Sequence, residues 1–401
     1  MLFRSEGYHV KIGYNQVCIN PTFSCLPVGF LTQAEPLNKI RGDLYARCLR
    51  MVDDGREVIL ITFDSLGISQ DVQERMEESL RQAVGEDALI IFSCSHTHYA
   101  PSLCNALGFI EENTPYLESL DIKLLNLVRN CRMSEDAQLT VSYQVRNFTG
   151  VGRCRLSQGS DQFVLAGVLS FFKEGLRIGN FLIYNCHPTI SAEDADYLSS
   201  DYPGAALDIL KQRYPKEFFL FLQGPCGDVS TRFTRQAKNY DEVIRLANEI
   251  VSAWEKMMKL TPRMQPLKLD WNDQTLPIHK GLKTFDINQM DTASLSEKEI
   301  RELHTGAKMV EQYRGMLAML PNEVRFTRVS LGPFRLIFNP FELFSGYMQN
   351  LDPKKDVLVC YSQGYLGYLS CPDNQEISYE TMIEICSNDD KKAVAELIRS
   401  C

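Results

Sequence analysis

The chain has 401 residues, 44% of them hydrophobic, which is enough for a sizeable core and excludes a disordered protein. A net charge of −9, with acidic and basic residues interspersed, excludes a nucleic-acid binder that must neutralise phosphates. No apolar run approaches the roughly 20 residues of a membrane span. Thirteen cysteines without framework spacing, and a start at 1–7 lacking a secretory apolar segment, lead us to expect a cytoplasmic protein with reduced thiols.

In chain order, residues 58–63 read as a strand and 70–84 as a helix, with Val72, Met76, Leu80 and Val84 at helical spacing and Ser69 as its cap. A second apolar strand at 89–92 runs into Ser93-Cys94-Ser95-His96-Thr97-His98. A helix is predicted to open at Thr114-Pro115, where proline suits the first turn, and to reach about residue 132. Residues 139–148 alternate like a half-exposed strand, and 164–172 with 178–185 predict an antiparallel pair through Lys173-Glu174-Gly175. A helix follows near Pro203 with Asp201 as its cap, then a strand at 217–222 and a long amphipathic helix at 239–260. Residues 267–278 read as a strand, 294–320 as a polar helical arm or lid, and 325–330 and 334–338 as strands turning at Leu331-Gly332-Pro333. The alternation predicts an α/β fold of mixed sheets flanked by helices. Without an internal repeat or a linker, a single domain over 1–401 is expected, with an excursion at about 265–325.

Several apolar runs end in chemically capable residues. Asp64 follows 58–63, His96 and His98 follow 89–92, His187 follows 181–184, and Gly227-Asp228-Val229-Ser230 follows 218–222. Glu342 follows 336–338, while Tyr365 and Tyr368 lie beyond 357–359. If those strands share a direction in one sheet, the groups meet at one edge. Any single histidine here could be a strand-end ring bonded to backbone. The chain has only six, however, and two at i, i+2 favour a metal. Two histidines with one glutamate form a hydrolytic zinc set that leaves a position for water. Ser230 either binds substrate or acts as nucleophile, unless its segment is only an Asx-type turn. Cys94, Cys186 and Cys226 show no Cys-x-x-Cys spacing and read as buried filler.

Four separated segments resemble the neutral, non-lysosomal ceramidase family. They are Ser95-His96-Thr97-His98; Cys186-His187-Pro188-Thr189 with Ser199-Ser200-Asp201-Tyr202-Pro203-Gly204; Gly227-Asp228-Val229-Ser230; and Pro340-Phe341-Glu342 with Gly364-Tyr365-Leu366-Gly367-Tyr368. The resemblance implies a catalytic domain holding Zn2+ through His96, His187, Glu342 and Tyr368, with His98 beside the metal and Ser230 in the active site. It implies that Arg153 stands near the substrate carbonyl and that Tyr379 is a further active-site tyrosine, and it places Tyr99, Tyr365 and Asp228 against the substrate. Tyr99 and Ala100 stand where the family has serine and glycine, and Thr231-Arg232 where it has Pro-Asn. With the sequence ending at Cys401, no C-terminal immunoglobulin-like domain is expected. The implied activity is zinc-dependent hydrolysis of an amide in N-acylsphingosine or a related N-acyl substrate. The alternatives are a zinc hydrolase of a small polar amide or ester, and a non-catalytic ligand-binding relative. Neither a nucleic acid nor a membrane span is expected, and oligomeric state is not legible.

Overall fold

A computed structural model describes residues 10–401 apart from 28, 31–34, 105–109, 136, 157–158 and 283–294. Three sheets repeat one topology. In the first, Val10–Cys18, Tyr45–Asp53 and Arg56–Phe63 run antiparallel in succession, and Leu89–Cys94 joins the last of them in parallel. In the second, Leu139–Asn147, Leu165–Lys173 and Leu176–Tyr184 do the same, closed in parallel by Phe218–Gln223. In the third, Leu269–Pro277, Glu323–Leu331 and Phe334–Phe338 are closed by Asp356–Val359. A parallel step needs a crossover. Helix Gln70–Arg81 supplies it in the first sheet and Asp201–Arg213 in the second, while the third makes do with the short 3-10 turn Ser345–Asn350.

The closing strands are apolar without alternation because both faces are covered. One face of each sheet, carrying Val58 and Leu60, Phe181 and Ile183, and Leu336 and Phe338, meets the others in a shared central core. The opposite face of the first sheet, carrying Ile59, Ile61 and Phe63, packs with Val72, Met76 and Leu80 of its crossover helix. Main-chain bonds then tie the strand ends together: Cys94 N–H donates to Tyr361 O at 3.0 Å, and Cys360 N–H to Gln223 O at 2.9 Å. The chemically capable ends therefore converge as expected, but from three sheets rather than one.

Three other details differ from the sequence expectation. The helix expected from Thr114-Pro115 begins at Ile110, with Pro115 inside it, where the missing N–H forfeits one intrahelical bond. Asp201 is the first helical residue and not the cap: its Oδ1 accepts from Tyr202 N–H and its Oδ2 from Ile190 N–H, which ties the loop after His187 to the helix start. Leu269–Pro277 belongs to the third sheet, so the departure from it is confined to 278–322 and contains helix Glu297–Met316. That helix opens on a capping box between Ser296 and Glu299.

Asp64 turns away from the convergence point. Its carboxylate receives Arg47 Nη1 at 2.9 Å and Tyr45 N–H at 2.9 Å, all within the first sheet's buried surround. Asp64→Ala leaves a guanidinium buried without its partner and is expected to cost about 3–5 kcal/mol, read as a lower denaturation midpoint.

Candidate active site

His96 lies two residues beyond Leu89–Cys94, with its backbone in the left-handed region at φ 66°. A non-glycine residue held there carries strain of about 1–3 kcal/mol, and the surroundings hold it in place. Its N–H donates to Ser65 O at 2.8 Å, its Nδ1 meets Leu66 O at 2.8 Å, and its ring stacks on Tyr361 with centroids 3.9 Å apart. His187 follows Leu176–Tyr184 and is fixed likewise, its N–H on Val229 O at 3.0 Å and its Nδ1 on Cys226 O at 2.6 Å. A bond to a carbonyl places a ring proton on Nδ1 and leaves each Nε2 facing inward.

Those nitrogens face one carboxylate. Glu342 sits in the short strand Phe341–Leu343, and its Oε2 lies 3.3 Å from His96 Nε2 and 3.1 Å from His187 Nε2. Tyr365 OH donates to the other oxygen, Oε1, at 2.5 Å. The strand runs parallel to Gly367–Leu369, in register with Tyr368 opposite Glu342. Tyr368 OH is thereby delivered to 3.5 Å from His187 Nε2. Gly227 makes the close packing possible: a Cβ there would stand 2.6 Å from Glu342 O.

His98 completes a group of three imidazoles whose ligating nitrogens all lie within 4.8 Å of one another. Its Nε2 is 3.3 Å from that of His96, and its Nδ1 meets Gly29 O at 2.7 Å. A Cβ on Gly29 would fall 2.1 Å from that of His98, so only glycine lets this carbonyl reach the ring. Burial and the His96 and His187 rings hold the His98 imidazole well below its ordinary value, and burial with Arg155 lowers His187. Burial alone would raise the Glu342 carboxyl, but the two imidazoles outweigh it and hold it well below the carboxylate range. Three imidazoles around a buried carboxylate make a donor set that fits a divalent cation.

A cavity of about 660 Å³ opens from this cluster. His98, His187, Arg155, Ser230, Tyr368 and Tyr379 line its buried end. Ser230 pairs with Arg153 across a two-residue antiparallel ladder and bridges to His187. One wall is helix Glu297–Met316, the segment expected as an arm or lid, which contributes Glu302, His304, Thr305, Lys308 and Met309.

Four residues expected against the substrate lie outside the described lining of this cavity. Arg153 points outward, 47% exposed and paired with Asp161 at 2.6 Å. Arg155, two residues on, is the buried guanidinium of the cavity. It reaches Gly227 O at 2.7 Å, Tyr368 OH at 3.4 Å and Glu380 Oε1 at 2.9 Å, above the Tyr379 ring. Asp228 is engaged by Ser345 N–H at 2.6 Å and Ser345 Oγ at 2.8 Å rather than by the cavity. Tyr99 stands behind the wall and donates to Ser191 O at 2.6 Å, because its bulk is taken up between Phe30 and that carbonyl. Tyr365 is spent on Glu342. Sequence reasoning missed Arg155 and the basic run Arg232, Arg235 and Lys238 at the cavity mouth, although the three-residue spacing of that run was visible.

All thirteen cysteines are free thiols, and none belongs to the histidine group. Among the described residues, no helix is long and apolar enough to cross a membrane.

Three sheets of mixed direction, flanked by helices and joined at their strand ends, are the α/β fold of the neutral ceramidases. Two solved structures share it: a ceramidase complexed with C2, at a TM-score of 0.75, and the neutral ceramidase from Pseudomonas aeruginosa, at 0.74. Each is 14% identical to this chain, with 98% of this chain and 74% of the other covered. No protein-family model and no curated protein matches the sequence.

Proposed function

We propose that the chain is a zinc-dependent hydrolase of the amide bond in an N-acyl substrate of ceramidase type. The observation that carries this is the convergence of His96 Nε2 and His187 Nε2 on Glu342 Oε2, at 3.3 and 3.1 Å, with the far nitrogen of each ring tied to a main-chain carbonyl. His96, His187 and Glu342 would hold the ion, with Tyr368 as the fourth ligand. Bound there, zinc supplies Lewis acidity that activates water near neutral pH and polarises the scissile carbonyl.

The chain's own groups do the rest. His98, neutral and donating from Nδ1 to Gly29 O, keeps Nε2 free to take a proton from the attacking water and return it to the leaving amine. Burial pushes the phenol of Tyr379 up, so it remains a protonated donor at neutral pH. With Arg155 over its ring, it is placed to stabilise an oxyanion at the cavity's buried end. Ser230 orients the acyl group from the opposite side.

Metal analysis of the purified protein, coupled to a panel of N-acyl amides, tests the reading. About one zinc per chain and amide cleavage lost on chelation are expected. Full cleavage by metal-free protein would overturn it.

A further inference from the structure

The mouth of the cavity carries a charge that the chain as a whole does not. The net charge is −9, and many arginines elsewhere are neutralised, as in Arg50 with Glu57 or Arg335 with Asp356. At the rim, Arg232, Arg235, Lys238 and Lys308 line the opening, and none of them forms an ion pair among the described residues. The acidic side chains of the described lining are Glu193 and Glu302. Arg235 also reaches Thr189 O at 2.6 Å, which holds its guanidinium on the wall between rim and floor.

Apolar side chains are few among the described residues of the same space. Apart from the two tyrosine rings, Phe30 and Met309 are the apolar side chains of the described lining. Two long hydrocarbon chains seated here would lie in part against guanidinium, ammonium and hydroxyl groups, where they forgo the roughly 25 cal/mol per Å² that an apolar wall returns. Unpaired cations lining a low-dielectric cleft concentrate anions and orient them.

We infer that the substrate is a compact N-acyl amide bearing an anionic group, a carboxylate or a phosphate, which Arg232, Arg235, Lys238 and Lys308 hold at the mouth while the amide lies over His187 and Arg155. This rests on the hydrolase reading and narrows it to a polar, charged substrate class. The anion sits on either the acyl or the amine side of the bond, and matched pairs separate the two. N-glutaryl against N-valeryl p-nitroanilide places a carboxylate on the acyl arm. The O-phosphate of N-acetylethanolamine against its parent alcohol places a phosphate on the amine arm.

With the zinc-loaded enzyme, the charged member of at least one pair is expected to show a kcat/KM about tenfold or more above its neutral partner, through KM and falling with added salt. The variant Arg232→Gln/Lys238→Gln/Lys308→Gln is expected to lose that preference. The same charge change at exposed Lys216, Arg263 and Lys354, none of which lines the cavity, is expected to keep it. Equal rates within both pairs, or a preference surviving in the rim variant, would overturn the inference. Calorimetric titration with glutarate and with valerate separates this from the hydrolase reading. Glutarate is expected to bind more tightly than valerate and to lose the advantage in the rim variant, even where no amide is cleaved. Equal binding of the two would sink the charge inference whatever the hydrolysis assay gives.

Discussion

Glu342→Gln is expected to reduce turnover by about a thousandfold or more, because it removes the anionic oxygen shared by two imidazoles and with it several kcal/mol of transition-state stabilisation. The substitution is nearly isosteric and keeps an acceptor for Tyr365 OH, so the fold survives. The checks are kcat on the best N-acyl amide, bound metal per chain, and the melting temperature. Activity and metal content should fall together while the fold persists. Unchanged turnover in Glu342→Gln would remove Glu342 from the site. Tyr365→Phe frees the carboxylate's second oxygen without touching the first, and a loss of about tenfold to a hundredfold is expected, as for other groups that orient ligands from behind.

Arg155→Met is expected to damage both stability and catalysis, whereas Arg153→Met does neither. In Arg155→Met the Glu380 carboxylate stays buried without its partner and Gly227 O loses its donor, a cost of about 3–5 kcal/mol. The group behind Tyr368 and Tyr379 is lost as well, which should lower kcat by about a hundredfold to a thousandfold. Arg155→Met/Glu380→Gln separates the two effects: neutralising the orphaned carboxylate should restore much of the melting temperature and none of the rate. Arg153 is half-exposed to solvent in its pair with Asp161, and its loss should stay within about 0.5 kcal/mol. A rate defect in Arg153→Met, with Arg155→Met fully active, would reverse the assignment.

The histidines were legible because their chemistry and position were both unusual: scarce residues at the end of a strand whose apolar run leaves no other use for them. Glu342 was legible only beside them, since a lone glutamate after a strand has many structural uses. The choice between Arg153 and Arg155 was not. Period-two reasoning places both on the same face of a strand, but that strand ends at Cys154, and Arg155 beyond it is buried against Gly227 O and Glu380. Tyr368 was preferred over Tyr365 only through the resemblance; the pairing register sets Tyr368 opposite Glu342, while Tyr365 OH bonds the carboxylate's other oxygen. The threefold topology left no trace in the sequence. Strand pairing asks only for apolar residues at alternating positions, which unrelated residues satisfy equally well. The basic run at 232–238 was visible as charge, and only the cavity behind it gave that charge a role.

The three candidate ligands follow strands of different sheets: His96 comes after the last strand of the first, His187 after the third strand of the second, and Glu342, in its own two-stranded ladder, after the third strand of the third. No proteolytic fragment lacking any one sheet can retain the cluster, so cleavage between sheets should abolish activity at once rather than leave a weakened remnant. An ion gripped by all three would fasten the molecule against separation of its parts, and chelation should lower the temperature at which the whole chain melts.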